Sequence, residues 1–127
     1  MIFIENLEDK MERKIIAAYR KILEKKHLLN ISGSKTLNCS SYRKIASDIT
    51  LARNEGLEKK LSDLEIVNTI IYKLLIGKYF VHYNYMMALL IGYIFMTMHS
   101  ITVNNFSMGN ITDDSTLDEI RALTASW

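Results

Sequence analysis

Residues 74–103 read LLIGKYFVHYNYMMALLIGYIFMTMHSITV. From Tyr79 through Thr112 the chain has no Asp, Glu, Lys or Arg. A run of this kind has two uses: it spans a bilayer, or it is a helix buried among other helices. Its apolar part, residues 86–103, reaches the roughly 18 to 20 residues that a span requires. Lys73 and Lys78 stand on one flank and acids lie beyond the other. Against a span stand His82, Asn84, Thr97, His99, Ser100 and Thr102, a polar load that hydrocarbon tolerates poorly. The segments before the run also need an apolar surface to pack on. The expectation is an all-α, single-domain helical bundle, in which residues 78–100 form a hydrophobic central helix wrapped by amphipathic ones.

Those segments carry helical signals. NLEDKMERKIIAAYRKILEKKH, residues 6–27, puts Met11, Ile15, Ala18, Tyr19 and Ile22 on one face. Its acids come early and Lys25, Lys26 and His27 come late, as the helix dipole favours. LLNISGSKTLNCS breaks the period and reads as a loop. Ser40 or Ser41 then caps YRKIASDITLARN, with Tyr42, Ile45, Ile49 and Ala52 inward. Gly56 is expected to end this helix in the left-handed conformation. Ser62 with Glu65 forms a capping box for a third helix, DLEIVNTIIYKLL. Its inward set is Leu64, Val67, Ile70, Ile71, Leu74 and Leu75, wide enough for burial on two sides. Gly77 marks a break. After the uncharged run, residues 102–115 read as irregular. Asp114 or Ser115 caps a last short helix, with Leu117, Ile120 and Leu123 inward.

The 127 residues suffice for one domain, 1–127, and are too few for two ordinary ones. At 49% hydrophobic and 24% charged the chain is globular, not disordered, and without proline little interrupts its helices. Residues 1–78 carry 15 Lys and Arg against 10 Asp and Glu, and residues 79–127 carry one against four. That imbalance lacks the concentrated basic face of a nucleic-acid binder. The lone Cys39 excludes an internal disulfide and suits a reducing compartment. His27, His82 and His99 have no metal-ligand spacing, Cys39 has no evident base, and there is no Gly-rich phosphate loop. The residues therefore point to no enzyme, no metal and no cofactor. Met86, Met87, Met96 and Met98 read as core filler.

Three stretches in order resemble the Bcl family of apoptosis regulators (B-cell lymphoma two type), and its viral, poxvirus-like branch in particular. RKIIAAYRKILEKKH, residues 13–27, is similar to the family's first helix through Arg13, Ile15, Ile16 and Tyr19. IASD, residues 45–48, resembles the centre of its third homology region, with Ser47 where glycine is usual. Residues 66–89 resemble the stretch around the Asn-Trp-Gly-Arg signature, with Leu75 and Ile76 in place of Asn and Trp. Gly77 is kept there, and Lys78 stands where arginine is usual. FSMGNITDD, residues 106–114, is similar to poxviral members. The resemblance implies an inhibitor of apoptosis that takes a pro-apoptotic partner's amphipathic helix into a hydrophobic groove. The implied groove residues are Ile45, Ile49, Leu57, Leu61, Ile71, Tyr72, Leu75, Gly77, Lys78, Tyr79 and Phe80. Lys78 would meet the partner's Asp, and Gly77 would let its backbone approach. The place implied is the host-cell cytoplasm or the mitochondrial surface, as a monomer or homodimer.

Other readings share these residues. On the same fold the partner would be an immune-signalling adaptor. KYFVHYNYMMALL, residues 78–90, resembles the Fic and Doc nucleotidyl-transferase motif at Phe80 and Asn84. Lys78 replaces the catalytic His there, and Tyr85 and Met86 replace the phosphate-binding pair, so such a relative would be catalytically dead. A small membrane protein is the remaining alternative.

Overall fold

A computed structural model describes residues 6–25 and 36–101. Four helices account for most of them: α1 (Leu7–Lys25), α2 (Tyr42–Glu58), α3 (Asp63–Gly77) and α4 (Asn84–Met98). No strand forms among the described residues, and the chain is an all-α bundle. α1 packs against α2 and α4, and α3 against α2 and α4. The last helix expected from the sequence, with Leu117, Ile120 and Leu123, lies outside the described residues, as does His27.

α1 buries one residue in every four: Leu7, Met11, Ile15, Tyr19 and Leu23. This stripe lies slightly to one side of the expected one, leaving Ala18 and Ile22 half-buried. The helix is fastened to α2 at the surface, where Arg43 pairs with Glu8, Asp9 and Glu12. Water screens these exposed charges, so they set register more than they stabilise.

α2 starts on Ser41, whose Oγ accepts from the Lys44 amide at 3.2 Å. The helix does not stop at Gly56. It runs on to Glu58, and the left-handed residue is Lys60, at φ 58°. The Lys60 amide bonds to Leu57 O at 3.1 Å and the Leu61 amide to Gly56 O at 2.9 Å. These are the two bonds of a Schellman ending, formed without glycine at its left-handed position. Gly56 serves another end: a Cβ there would lie 2.6 Å from Ile66 Cγ1 of α3. Its missing side chain lets two helices meet.

The capping box of α3 is present, with Glu65 N bonded to Ser62 Oγ at 3.2 Å and Ser62 N to Glu65 Oε1 at 3.4 Å. Ile66, Val67, Ile70, Ile71, Leu74 and Leu75 are buried in two adjacent rows, one toward each neighbouring helix. Leu64, expected inward, is only half-buried, and Ile66 takes its place. On the α4 side Gly92 repeats the device, since a Cβ there would lie 2.5 Å from Ile71 Cδ1.

The uncharged run is not one helix over residues 78–100. α3 ends at Gly77, Lys78 turns left-handed at φ 44°, and the chain stays non-helical to Tyr83. Phe80 pairs with Leu37 in an isolated antiparallel bridge. Only then does α4 begin. It buries Met87, Ala88, Leu89, Ile91, Gly92, Phe95 and Met96. It ends like α2, with Ser100 left-handed and the Ile101 amide bonded to Met96 O at 2.9 Å. With 15 residues α4 is about 22 Å long, short of a bilayer's hydrocarbon thickness. Among the described residues no helix is long and apolar enough to cross a membrane.

Candidate partner-binding site

The eleven groove residues implied by the sequence divide by depth. Ile45, Ile49, Ile71, Leu75 and Phe80 are fully buried in the core. Leu57, Leu61 and Tyr79 are half-buried against it. Tyr72, Gly77 and Lys78 are exposed. The first five are core packing, and of the eleven only the last three are exposed. Tyr72 and Gly77 stand five residues apart on α3, about 140° around the helix, so they do not share a face.

The exposed corner is built by the turn after α3. Lys78 lines an open cleft of about 320 Å³ with Val81, His82, Tyr83, Asn84 and Tyr85. Gly77 is fixed by its neighbour, because a Cβ would lie 2.6 Å from the Tyr79 ring. That ring folds back so that its hydroxyl donates to Asp48 Oδ2 at 2.6 Å. Asp48 also receives Lys44 Nζ on Oδ1 at 3.0 Å. Burial alone would raise the Asp48 pKa, but the Tyr79 hydroxyl and the charges of Lys44 and Lys73 outweigh it and hold the carboxyl below its usual range. Burial and then Asp48 push the Tyr79 phenol up. With the acid held low and the phenol held high, the proton stays on Tyr79. The pair is a clasp between α2 and the turn, and a poor proton relay.

Behind the corner, polar side chains secure the main chain from Lys78 to His82. Asn38 Nδ2 donates to Lys78 O and to Phe80 O, each at 3.0 Å. Asn84 Oδ1 accepts from Phe80 N at 2.9 Å, and its Nδ2 donates to Phe80 O at 2.6 Å. The Asn38 amide bonds to Tyr79 O at 2.8 Å and the Val81 amide to Thr36 O at 3.0 Å. From α1, the Tyr19 hydroxyl lies 3.1 Å from His82 O and 3.3 Å from Thr36 O, while accepting from His82 N at 3.3 Å. The Tyr19 ring rests on Phe80, centroids 4.5 Å apart. Cys39 is half-buried, its thiol 3.8 Å from Tyr79 O.

Asn38, Asn84 and Tyr19 are the residues that sequence reading did not connect to this corner. A buried tyrosine signals that its hydroxyl needs a partner, but not that the partner lies 63 positions away. Of the histidines, His82 is exposed. His99 stacks on Phe95 at 4.1 Å and points Nδ1 at Phe95 O, 2.8 Å away. Among the described residues no three His, Cys, Asp or Glu gather as metal ligands would.

Compared with known protein families, curated proteins and solved structures, the chain shows no match to any of them. The class that the geometry defines is a helical bundle, four-helix among the described residues, with a polar, strapped corner between α3 and α4.

Proposed function

We propose that this chain is a non-enzymatic, Bcl-like protein-binding module. In this reading it holds the amphipathic death-motif helix of a pro-apoptotic partner and so blocks apoptosis, as a viral protein acting in the host cell. The reading is supported by the order of the three resembling stretches, which fall on α1, on α2, and on α3 through the start of α4. The observation that carries it is the corner itself. Lys78 is exposed at the lip of a cleft directly after Gly77, where a partner's carboxylate can reach the ammonium from solvent. The buried members of the implied groove belong to the core.

The test is calorimetric titration of the protein with helical death-motif peptides. Submicromolar binding is expected for some of them. Replacing the peptide's central Asp by Ala should weaken it. Lys78→Glu should weaken it by about tenfold, equivalent to about 1.4 kcal/mol, by setting like charges together. Unchanged affinity removes Lys78 from the site. No binding across the panel sinks the anti-death mechanism and turns the search to immune-signalling adaptors.

A further inference from the structure

Where α1 passes α4, a groove of about 410 Å³ opens, and it shares no lining residue with the Lys78 cleft. Ala17 and Ala18 keep the α1 wall low, and Ile22, Leu90 and Ile94 complete an apolar floor. Ala18, Ile22, Leu90 and Ile94 are half-buried against the core, so an apolar side chain laid over them removes further apolar area from water. The α4 wall brings no charge, since α4 has no Asp, Glu, Lys or Arg.

The charge of the groove stands on the α1 rim, at Lys14 and Lys21, both exposed. Seven residues is about two helical turns, so the two share one side of α1 and lie about 10.5 Å apart along its axis. No acid stands three or four positions from Lys14, and only Glu24 does so for Lys21. Neither lysine makes an ion pair among the described residues. Glu8, Asp9 and Glu12 are held on the α2 flank by Arg43. α1 is thus acidic where it meets α2 and basic where it meets the groove.

These features define a complement: an apolar stripe over the floor, with carboxylates along one edge to meet the two ammoniums. The spacing selects a helix. Acids seven positions apart on a helix fall on one side, about 10.5 Å apart. On an extended strand that distance covers about three residues, an odd number, which puts the two side chains on opposite faces.

We infer that the α1–α4 groove receives an acidic amphipathic helix of a partner protein. Its apolar stripe lies on Leu90 and Ile94, and two carboxylates seven residues apart meet Lys14 and Lys21. The inference does not rest on the Lys78 corner or on the Bcl-like reading. Covering the floor supplies the affinity, and the lysines set the orientation and the choice of partner.

The probe is a synthetic helical peptide of about 18 residues, with a leucine stripe and two glutamates seven positions apart on one flank. Its control carries lysine in place of both glutamates. Each is titrated into the full chain by calorimetry at low ionic strength, and backbone amide shifts of the isotope-labelled protein locate the contact. The acidic peptide should bind and the basic one should not, with shifts at Ala17, Ala18, Leu90 and Ile94. Lys14→Glu with Lys21→Glu should reverse the preference, weakening the acidic peptide about tenfold and admitting the basic one. Ala17→Trp fills the groove from an exposed position and should block the acidic peptide, with far-UV circular dichroism retained. Failure of the acidic peptide to bind, equal binding of both peptides, or shifts confined to the Lys78 cleft each overturns the inference. So does dimerisation of the chain that Ala17→Trp abolishes, which would make a second copy the occupant. Binding to phosphatidylserine vesicles through Lys14 and Lys21, without peptide binding, would make the face a membrane contact and overturn it as well.

Discussion

Residues 79–83 and residues 84–98 belong to one uncharged run, yet they take opposite structures. The second stretch is a helix whose apolar residues go almost all round, and only Tyr93 and Thr97 are exposed along it. The first is an extended turn in which Tyr79 O, Phe80 N and O, Val81 N, and His82 N and O are each claimed by a side chain or strand partner outside the turn. Both reach the core, through Phe80 in one and through Met87, Ile91 and Phe95 in the other. Hydrophobicity therefore decides that the run is buried. The side-chain amides of Asn38 and Asn84, with the Tyr19 hydroxyl, decide where it stops being a helix. A buried amide or carbonyl must be paired, and these groups offer the backbone an alternative to the helical ladder.

The largest effects should come from the shared core, where the two stretches behave alike. Phe80→Ala and Phe95→Ala each remove a fully buried ring, and each should cost about 3–5 kcal/mol in urea unfolding. Native-state hydrogen exchange should then separate them. Phe80→Ala should speed exchange at the Val81 and His82 amides selectively, because the ring under Tyr19 is lost. Equal local protection in both variants would mean that the turn does not depend on its anchor.

Next comes the close approach of α3 and α4. Glycine to alanine inside a helix ordinarily stabilises by roughly 0.5–1 kcal/mol. At Gly92 the added methyl would sit 2.5 Å from Ile71 Cδ1, in a side chain with no solvent to move into. Gly92→Ala should therefore destabilise, by about 1–3 kcal/mol. Ile71→Val shortens the obstructing side chain, so the double-mutant cycle should show positive coupling. A stabilised Gly92→Ala would mean that the two helices part at no cost.

Much of the helical half of this picture is legible in the sequence. Ser41, and Ser62 with Glu65, announce two helix starts through local hydrogen-bonding chemistry, and the periodicity of α1 and α3 names most of the residues that those two helices bury. The endings are less legible. α2 and α4 stop at Lys60 and Ser100, left-handed residues that carry no glycine signal, while Gly56 and Gly92 sit inside helices to admit Ile66 and Ile71. A glycine's local freedom can be read from the chain; a close approach by a distant helix cannot. The same holds for the corner. The Gly77–Lys78 break is a local signal, whereas the partnership of Asn38, Asn84 and Tyr19 exists only once the bundle has formed. Depth was equally hidden among the groove candidates: the resemblance names Ile45 and Tyr72 alike, and only packing buries one and exposes the other.

A smaller effect distinguishes the two stretches directly. Asn84→Ala removes the groups that pair with both Phe80 N and Phe80 O, leaving the part-buried amide without its acceptor. It should cost about 1–3 kcal/mol, and the loss should fall on residues 78–82 in hydrogen exchange. Thr97→Ala, in the helical stretch, deletes only an exposed hydroxyl that bonds back to Tyr93 O. It should change stability by no more than about 0.5 kcal/mol. Similar costs for the two would show that the turn is held by packing alone, and that the amides follow the backbone instead of directing it.

The smallest effect sits at the far end of the run and depends on pH. Burial disfavours the charged form of His99 and is the leading reason its pKa is lowered; the Phe95 carbonyl and Asp63 oppose the shift and Arg53 reinforces it. Nδ1 faces Phe95 O, while Nε2 is buried without a partner among the described residues, so protonation would add a second donor with nothing to receive it. A histidine whose folded pKa lies below its unfolded one binds more protons unfolded than folded. Stability is then full above the unfolded value, about 6.5, and falls as pH drops from there toward the folded pKa. The urea midpoint should decline modestly between pH 7.5 and pH 5.5. His99→Phe, which keeps a ring against Phe95 and cannot titrate, should flatten that decline. A slope that survives the substitution would assign the pH dependence to another group and leave the α4 end insensitive to protons.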